Sequence, residues 1–284
     1  MSDPAAVALE ELSAGYPGVL ALDQVDLTIT QGRITALLGA NGSGKSTLMS
    51  SILGVRVPIR GSVRIFGQDP AKARRRNLVS YVPQHEQIDT TFPITVEQVV
   101  LMGRYRHMGI TRRARAADHQ AVDEAIEHVR LEDFRKRSIG ELSGGQRKGA
   151  FVARSIAQHA PLMLLDEPFA GVDRASEDLI AEVLRDLRST SGTTLLISTH
   201  HLEGVEDLAD HAVLLHQRVL AEGTPAEVLD HERLGSAFGA VLSSAGPADS
   251  PETEPARPSD LEDWDANGPA SETTSRKGSA PWNS

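Results

Sequence analysis

At 284 residues the chain has room for one large domain or two ordinary ones, and a hydrophobic fraction of 40% is enough to build a core. A formal net charge of -10 argues against a general nucleic-acid binder, whose phosphate contacts leave a basic excess. The absence of cysteine removes disulfides and thiolate metal sites, which fits a cytosolic protein.

The first residues, "MSDPAAVALEEL", carry acids where a signal peptide has a basic region, and they lack a long apolar core. No apolar run approaches the roughly 20 residues that span a bilayer, so any membrane role is expected to come through a partner. Hairpin-like runs at Val7 to Leu12 and Val25 to Ile29 predict an antiparallel β layer at the front of the chain. Short Val/Ile/Leu-rich runs then predict strands at Arg33 to Leu38, Ser62 to Ile65, Leu78 to Val82, Leu162 to Leu165, Thr193 to Ser198 and Ala212 to Leu215. Helical spacing appears at Ala116 to Val129, Gly144 to Gln158 and Ala175 to Leu187. Strands alternating with helices predict an α/β fold with a largely parallel sheet buried on both faces.

Between about Gln84 and Ala160 the patterns are mostly helical, which predicts an inserted helical subdomain. "KARRR", Lys72 to Arg76, predicts an exposed helix face. Residues 1–242 are expected to form the folded domain. From 243 to 284 the chain is rich in Pro, Ser, Glu and Asp, and its eight acids and three bases predict an acidic, disordered tail.

"LLGANGSGKSTLM" places three glycines within six residues between a strand pattern and a helix pattern. A packed core gains nothing from such a run, since glycine loses the most backbone freedom on folding. The stretch fits G-x-x-x-x-G-K-[ST], in which backbone N–H groups and a helix N-terminus cradle phosphates. Lys45 would reach the β- and γ-phosphates, Ser46 would hold Mg²⁺, and Gly39, Asn41, Gly42, Gly44 and Thr47 complete the ATP-binding loop. Farther on, "LMLLDE" ends an apolar strand in two acids. Asp166 would be delivered to the magnesium, and Glu167 would polarise the attacking water.

"ELSGGQRK", with Leu142, Ser143, Gly144, Gly145 and Gln146, stands about a hundred residues after the glycine loop and just before the acidic strand. It resembles the signature motif of ATP-binding cassette proteins, over roughly residues 7 to 240. The resemblance implies a P-loop NTPase (RecA-like) core sheet with an antiparallel β subdomain and an α-helical insertion. It also implies site roles: Tyr16 stacks on adenine, Gln84 contacts the metal and the γ-phosphate, Asp173 lies on the loop that crosses to the other subunit, and His200 is the switch histidine. Ser143 and Gly145 of one subunit would cover the γ-phosphate held by Lys45 of another in a homodimer.

"FPITVEQVVLMGRYRHMG", Phe92 to Gly109, and "EPFAGVD" look like the ATPase subunits of bacterial importers for manganese, zinc or iron. That likeness implies integral-membrane permease subunits, an extracytoplasmic metal-binding protein and a place at the cytoplasmic face of the membrane. Arg104 and Arg106 are expected to dock the permease. A siderophore importer and a soluble ATPase switch remain as alternatives. Gly149 lies inside the predicted helix after the motif, where glycine costs about 1 kcal/mol relative to alanine. On that ground Gly149→Arg is expected to raise thermal stability.

Overall fold

In the computed structural model, residues 4–84, 92–110 and 112–230 are described. The expected tail, 243–284, lies outside them, as does the segment 85–91 just after Gln84. β1 (Ala5–Tyr16) and β2 (Val19–Thr30) form an antiparallel hairpin closed by Pro17 and Gly18, with Tyr16 paired to Val19. Gly18 supplies the positive φ of 80° that so tight a turn requires. β4 (Arg60–Ile65) pairs with the other edge of β1, giving a three-stranded sheet in the order β2-β1-β4. The hairpin strands are longer than the apolar runs predicted, because half of each faces solvent and carries polar residues.

The second sheet has six strands. β5 (Val79–Val82), β6 (Leu162–Asp166), β7 (Thr194–Thr199), β3 (Ile34–Leu38) and β8 (His211–His216) run parallel in that order, and β9 (Arg218–Gly223) adds an antiparallel edge. Every residue of β3, β6 and β7 is buried, as continuous apolar strands covered on both faces should be. Successive residues serve opposite faces. Met163, Leu165, Leu195 and Ile197 join the core shared with the helical part of the chain, whereas Leu162, Leu164 and Leu196 join the core under the antiparallel sheet.

The helices are α1 (Lys45–Ile52), α2 (Pro70–Arg75), α3 (Val96–Met102), α4 (Ala116–His128), α5 (Gly144–Ala157), α6 (Arg174–Ser191), α7 (Val205–Leu208) and α8 (Pro225–Val228). Among the described residues between Gln84 and Ala160 there is no strand, only an isolated bridge from Thr95 to Ser138 beside α3, α4 and α5. α2 places Lys72 and Arg75 on an exposed face.

One docking expectation is overturned. Arg104 is buried, its Nε donates to Asp118 Oδ1 at 3.1 Å, and its Nη1 donates to the Ala157 carbonyl at 2.9 Å. It ties the end of α3 to α4 and α5 and presents no charge to a partner. Arg106, two residues on, is exposed. The reason is spacing: the turn after α3 rotates one arginine into the helical core and the other out of it.

Candidate nucleotide-binding and hydrolysis site

The expected site residues sit where the parallel strands end. Gly39 follows β3, Gln84 follows β5, Asp166 and Glu167 close β6, and His200 follows β7. Loops at the carboxyl ends of neighbouring parallel strands converge on one crevice. Tyr16, Asn41, Gly42, Gly44, Lys45, Ser46, Thr47, Gln84, Asp166 and Glu167 line a single cleft there.

The glycine loop has two kinds of glycine. A Cβ on Gly39 would lie 2.4 Å from the Leu215 carbonyl oxygen, and one on Gly44 would lie 2.6 Å from that of Ala21. These two glycines are demanded by the fold itself, contrary to the expectation that packing gains nothing from the run. Gly42, with φ 82° and no atom near its missing Cβ, keeps the loop's tip open to a ligand. Lys45 opens α1, is 6% exposed, and donates from Nζ to the Gly39 carbonyl at 2.7 Å and that of Ala40 at 3.2 Å. Ser46 and Asn41 are exposed on the cleft side, while Thr47 turns inward.

The two acids are held by a serine that sequence reading did not single out. Ser198 pairs with Asp166 across β6 and β7, and its hydroxyl donates to Asp166 Oδ1 at 2.5 Å. The Glu167 N–H donates to both the Ser198 carbonyl and its Oγ, each at 3.1 Å. A hydroxyl at the end of "LLIST", facing the acids in register, is a signal that a pairing argument could have used. Tyr81 on β5 donates to Asp166 Oδ2 at 3.4 Å; burial and the nearby carboxylate push its phenol up to about 12. The phenol therefore stays protonated and a donor at neutral pH.

Glu167 adopts φ 49°, the left-handed region uncommon for a residue with a side chain. Of the nine such non-glycine residues among those described, Glu167 alone is buried. The turn swings its carboxylate under the loop, with Oε1 3.7 Å from Lys45 Nζ and Oε2 2.9 Å from His200 Nδ1. Lysine, carboxylate and imidazole thus form one connected chain at the strand ends. Gln84 joins the same cleft, and its carbonyl accepts from Lys148 Nζ of α5 at 3.1 Å.

Ser143, Gly144, Gly145, Gln146 and Asp173 are absent from the lining of that cleft. They meet one another instead. Ser143 caps α5: its Oγ accepts from the Gln146 N–H at 3.2 Å, and its own N–H donates to Gln146 Oε1 at 3.1 Å. Asp173 caps α6 through the N–H and hydroxyl of Ser176, bonds that hold its carboxyl below the ordinary range. A Cβ on Gly145 would fall 2.0 Å from Ser176 Oγ, so glycine is what lets the two helix starts touch. Gly149 is buried against Leu131 and Val129, with ordinary contact distances of 3.6 and 3.9 Å for an added Cβ. Alanine fits there, whereas a guanidinium at this buried, apolar position would need a polar partner, so Gly149→Arg is expected to lower stability instead of raising it.

The cleft suits the groups its motifs imply. Asp166, Ser46 and Gln84 offer carboxylate, hydroxyl and amide oxygens, the hard donors that magnesium takes. The loop tip and Lys45 offer the N–H groups and ammonium that a triphosphate takes. The ABC transporter family model matches residues 22–170. The chain is 44% identical to the manganese transport system ATP-binding protein MntA of Synechocystis sp., over 83% of this chain and 90% of that one. It is also 44% identical to the chelated iron transport system membrane protein YfeB of Yersinia pestis, covering 79% and 76%, and 42% identical to the zinc transport system ATP-binding protein TroB of Treponema pallidum, covering 84% and 89%. Family match, relatives and strand-end geometry agree: the chain belongs to the ABC transporter family, as one of its ATP-hydrolysing subunits.

Proposed function

We propose that this chain powers a bacterial importer of a transition metal ion, manganese or zinc, by binding and hydrolysing ATP at the cytoplasmic face of the membrane. The observation that carries the hydrolytic half is Glu167, held between Lys45 in the phosphate loop and His200. The importer half rests on relatives whose names specify manganese, chelated iron and zinc transport at nearly equal identity. That near equality fits a cargo chosen by other subunits of the complex.

In this reading Lys45 and the loop N–H groups hold the β- and γ-phosphates, and Tyr16 takes the base. Asp166, Ser46 and Gln84 would hold Mg²⁺, which when bound neutralises charge shared between the β- and γ-oxygens. Glu167 accepts a proton from the attacking water, and His200 fixes the carboxylate's orientation through the 2.9 Å contact. Ser143 and Gly145 reach the γ-phosphate of a second copy, so that two chains close head to tail over two ATP molecules and reopen after hydrolysis. The motion passes to permease subunits, fed by an extracytoplasmic metal-binding protein, through the cleft lined by Met102, Arg106 and Arg74.

The test is uptake of radiolabelled manganese, zinc and chelated iron by cells in which Glu167→Gln replaces the wild-type chain. Loss of manganese or zinc uptake alone is expected. Loss of chelated iron uptake alone would move the cargo to that class, and unimpaired uptake of all three would contradict an importer.

A further inference from the structure

Tyr16 has two faces, and the fold has already used one. The Arg56 guanidinium carbon lies 3.8 Å from the centroid of the Tyr16 ring, while its Nη1 donates to the Gly15 carbonyl at 2.7 Å. Its Nε is buried and has no hydrogen-bond partner among the described residues, so the ring contact and a single bond fix the group. Arg56 stands just after α1, whose first residue is Lys45, and its N–H returns to the Ser50 carbonyl at 3.0 Å. The backbone around Tyr16 is equally fixed: a Cβ on Gly15 would meet the Val19 carbonyl at 2.1 Å.

We infer that Arg56 is a positioning residue for the nucleotide base: it holds one face of the Tyr16 ring, lies outside the lining of the nucleotide cleft, and leaves the other face of the ring to stack on the base. The inference rests on the ATP-binding reading of the cleft and adds a residue to it. Three consequences follow from the geometry. The ring is held at one orientation, so less freedom is lost when a base stacks on it. The cation draws ring electron density towards itself, which favours a purine on the opposite face. Base platform and phosphate cradle also move together, since one short helix joins them.

The test is a double-mutant cycle on the full chain, with ATP affinity measured calorimetrically for wild type, Arg56→Gln, Tyr16→Leu and the double variant. Arg56→Gln should weaken ATP about two- to fivefold, the range a cation–π contact commands at a partly exposed site. Arg56→Lys should restore part of that loss. The double variant should bind no more weakly than Tyr16→Leu alone, because Arg56 acts through the ring. Inorganic triphosphate, which has no base, should bind all four proteins alike and so shows that fold and cradle are intact. Unchanged ATP affinity in Arg56→Gln, or losses that multiply in the double variant, would overturn the inference. Loss of triphosphate binding in Arg56→Gln would also overturn it, by showing that the residue acts on the cradle. Failure of wild type to bind ATP at all would instead reject the ATP-binding reading.

Discussion

In the proposed mechanism the chemistry turns on Glu167, and its neighbours Lys45 and His200 decide what a substitution there should do. Glutamine keeps the shape and removes the proton acceptor, so ATPase turnover should fall by roughly a hundredfold or more, the range general base catalysis supplies. ATP binding should survive, because Lys45 keeps its loop carbonyls and loses only a competing carboxylate 3.7 Å away. Turnover and equilibrium binding of Glu167→Gln measure the two separately, and loss of both together would assign the residue to binding. Gly149 makes a second prediction. An added methyl meets Leu131 and Val129 at contact distance, so Gly149→Ala should raise stability by about 1 kcal/mol and Tm by roughly 2–4 °C. Gly149→Arg should lower Tm, and a thermal melt of both variants checks the pair. Lys45, Glu167 and His200 were legible because their motifs fix both residue type and strand-end position. Ser198 and the inward turn of Arg104 were not, because each depends on which face a neighbouring element presents.

Among the elements, α3, α4 and α5 are joined by polar links as well as by their apolar faces. Asp118 receives the Arg115 N–H at 2.9 Å and the Arg104 guanidinium at 3.1 Å, and these, the backbone bond first, hold its carboxyl below the ordinary range. A lowered carboxyl contributes stability that is complete above the unfolded-state value near 3.9 and is lost as pH falls through the folded value. The stability difference between wild type and Asp118→Asn should therefore be largest near neutral pH and close below about pH 4. Acid-titrated thermal melts would show it, and a difference that does not narrow would contradict the assignment. Arg104→Ala should cost roughly 3–5 kcal/mol at pH 7, since it strands a buried carboxylate. The buried parallel strands were readable as unbroken apolar runs. β9 was not, because "RVLAEG" has one exposed edge and a weak alternating pattern. α7 and α8 are four residues long, too short for a helical period to register.

At the scale of the molecule, the chain has two glycine-bearing helix starts suited to phosphate. The first, at Lys45, opens on the cleft that holds Glu167, while the second, at Ser143, packs on the start of α6 away from that cleft. In the proposed head-to-tail pair, one chain therefore contributes half of each of two sites and completes neither by itself. The sequence motifs marked both helix starts, but strand order and helix packing were needed to see that Ser143 lies outside the cleft that Lys45 lines. The most direct measurement of this claim is the ATPase rate of an equimolar mixture of two inactive variants, Lys45→Ala and Ser143→Arg. If two copies close head to tail, mixed pairs contain one cradle and one opposing Ser143 that are both intact, and the mixture regains a clear fraction of wild-type turnover. A mixture no more active than either variant alone would contradict the account.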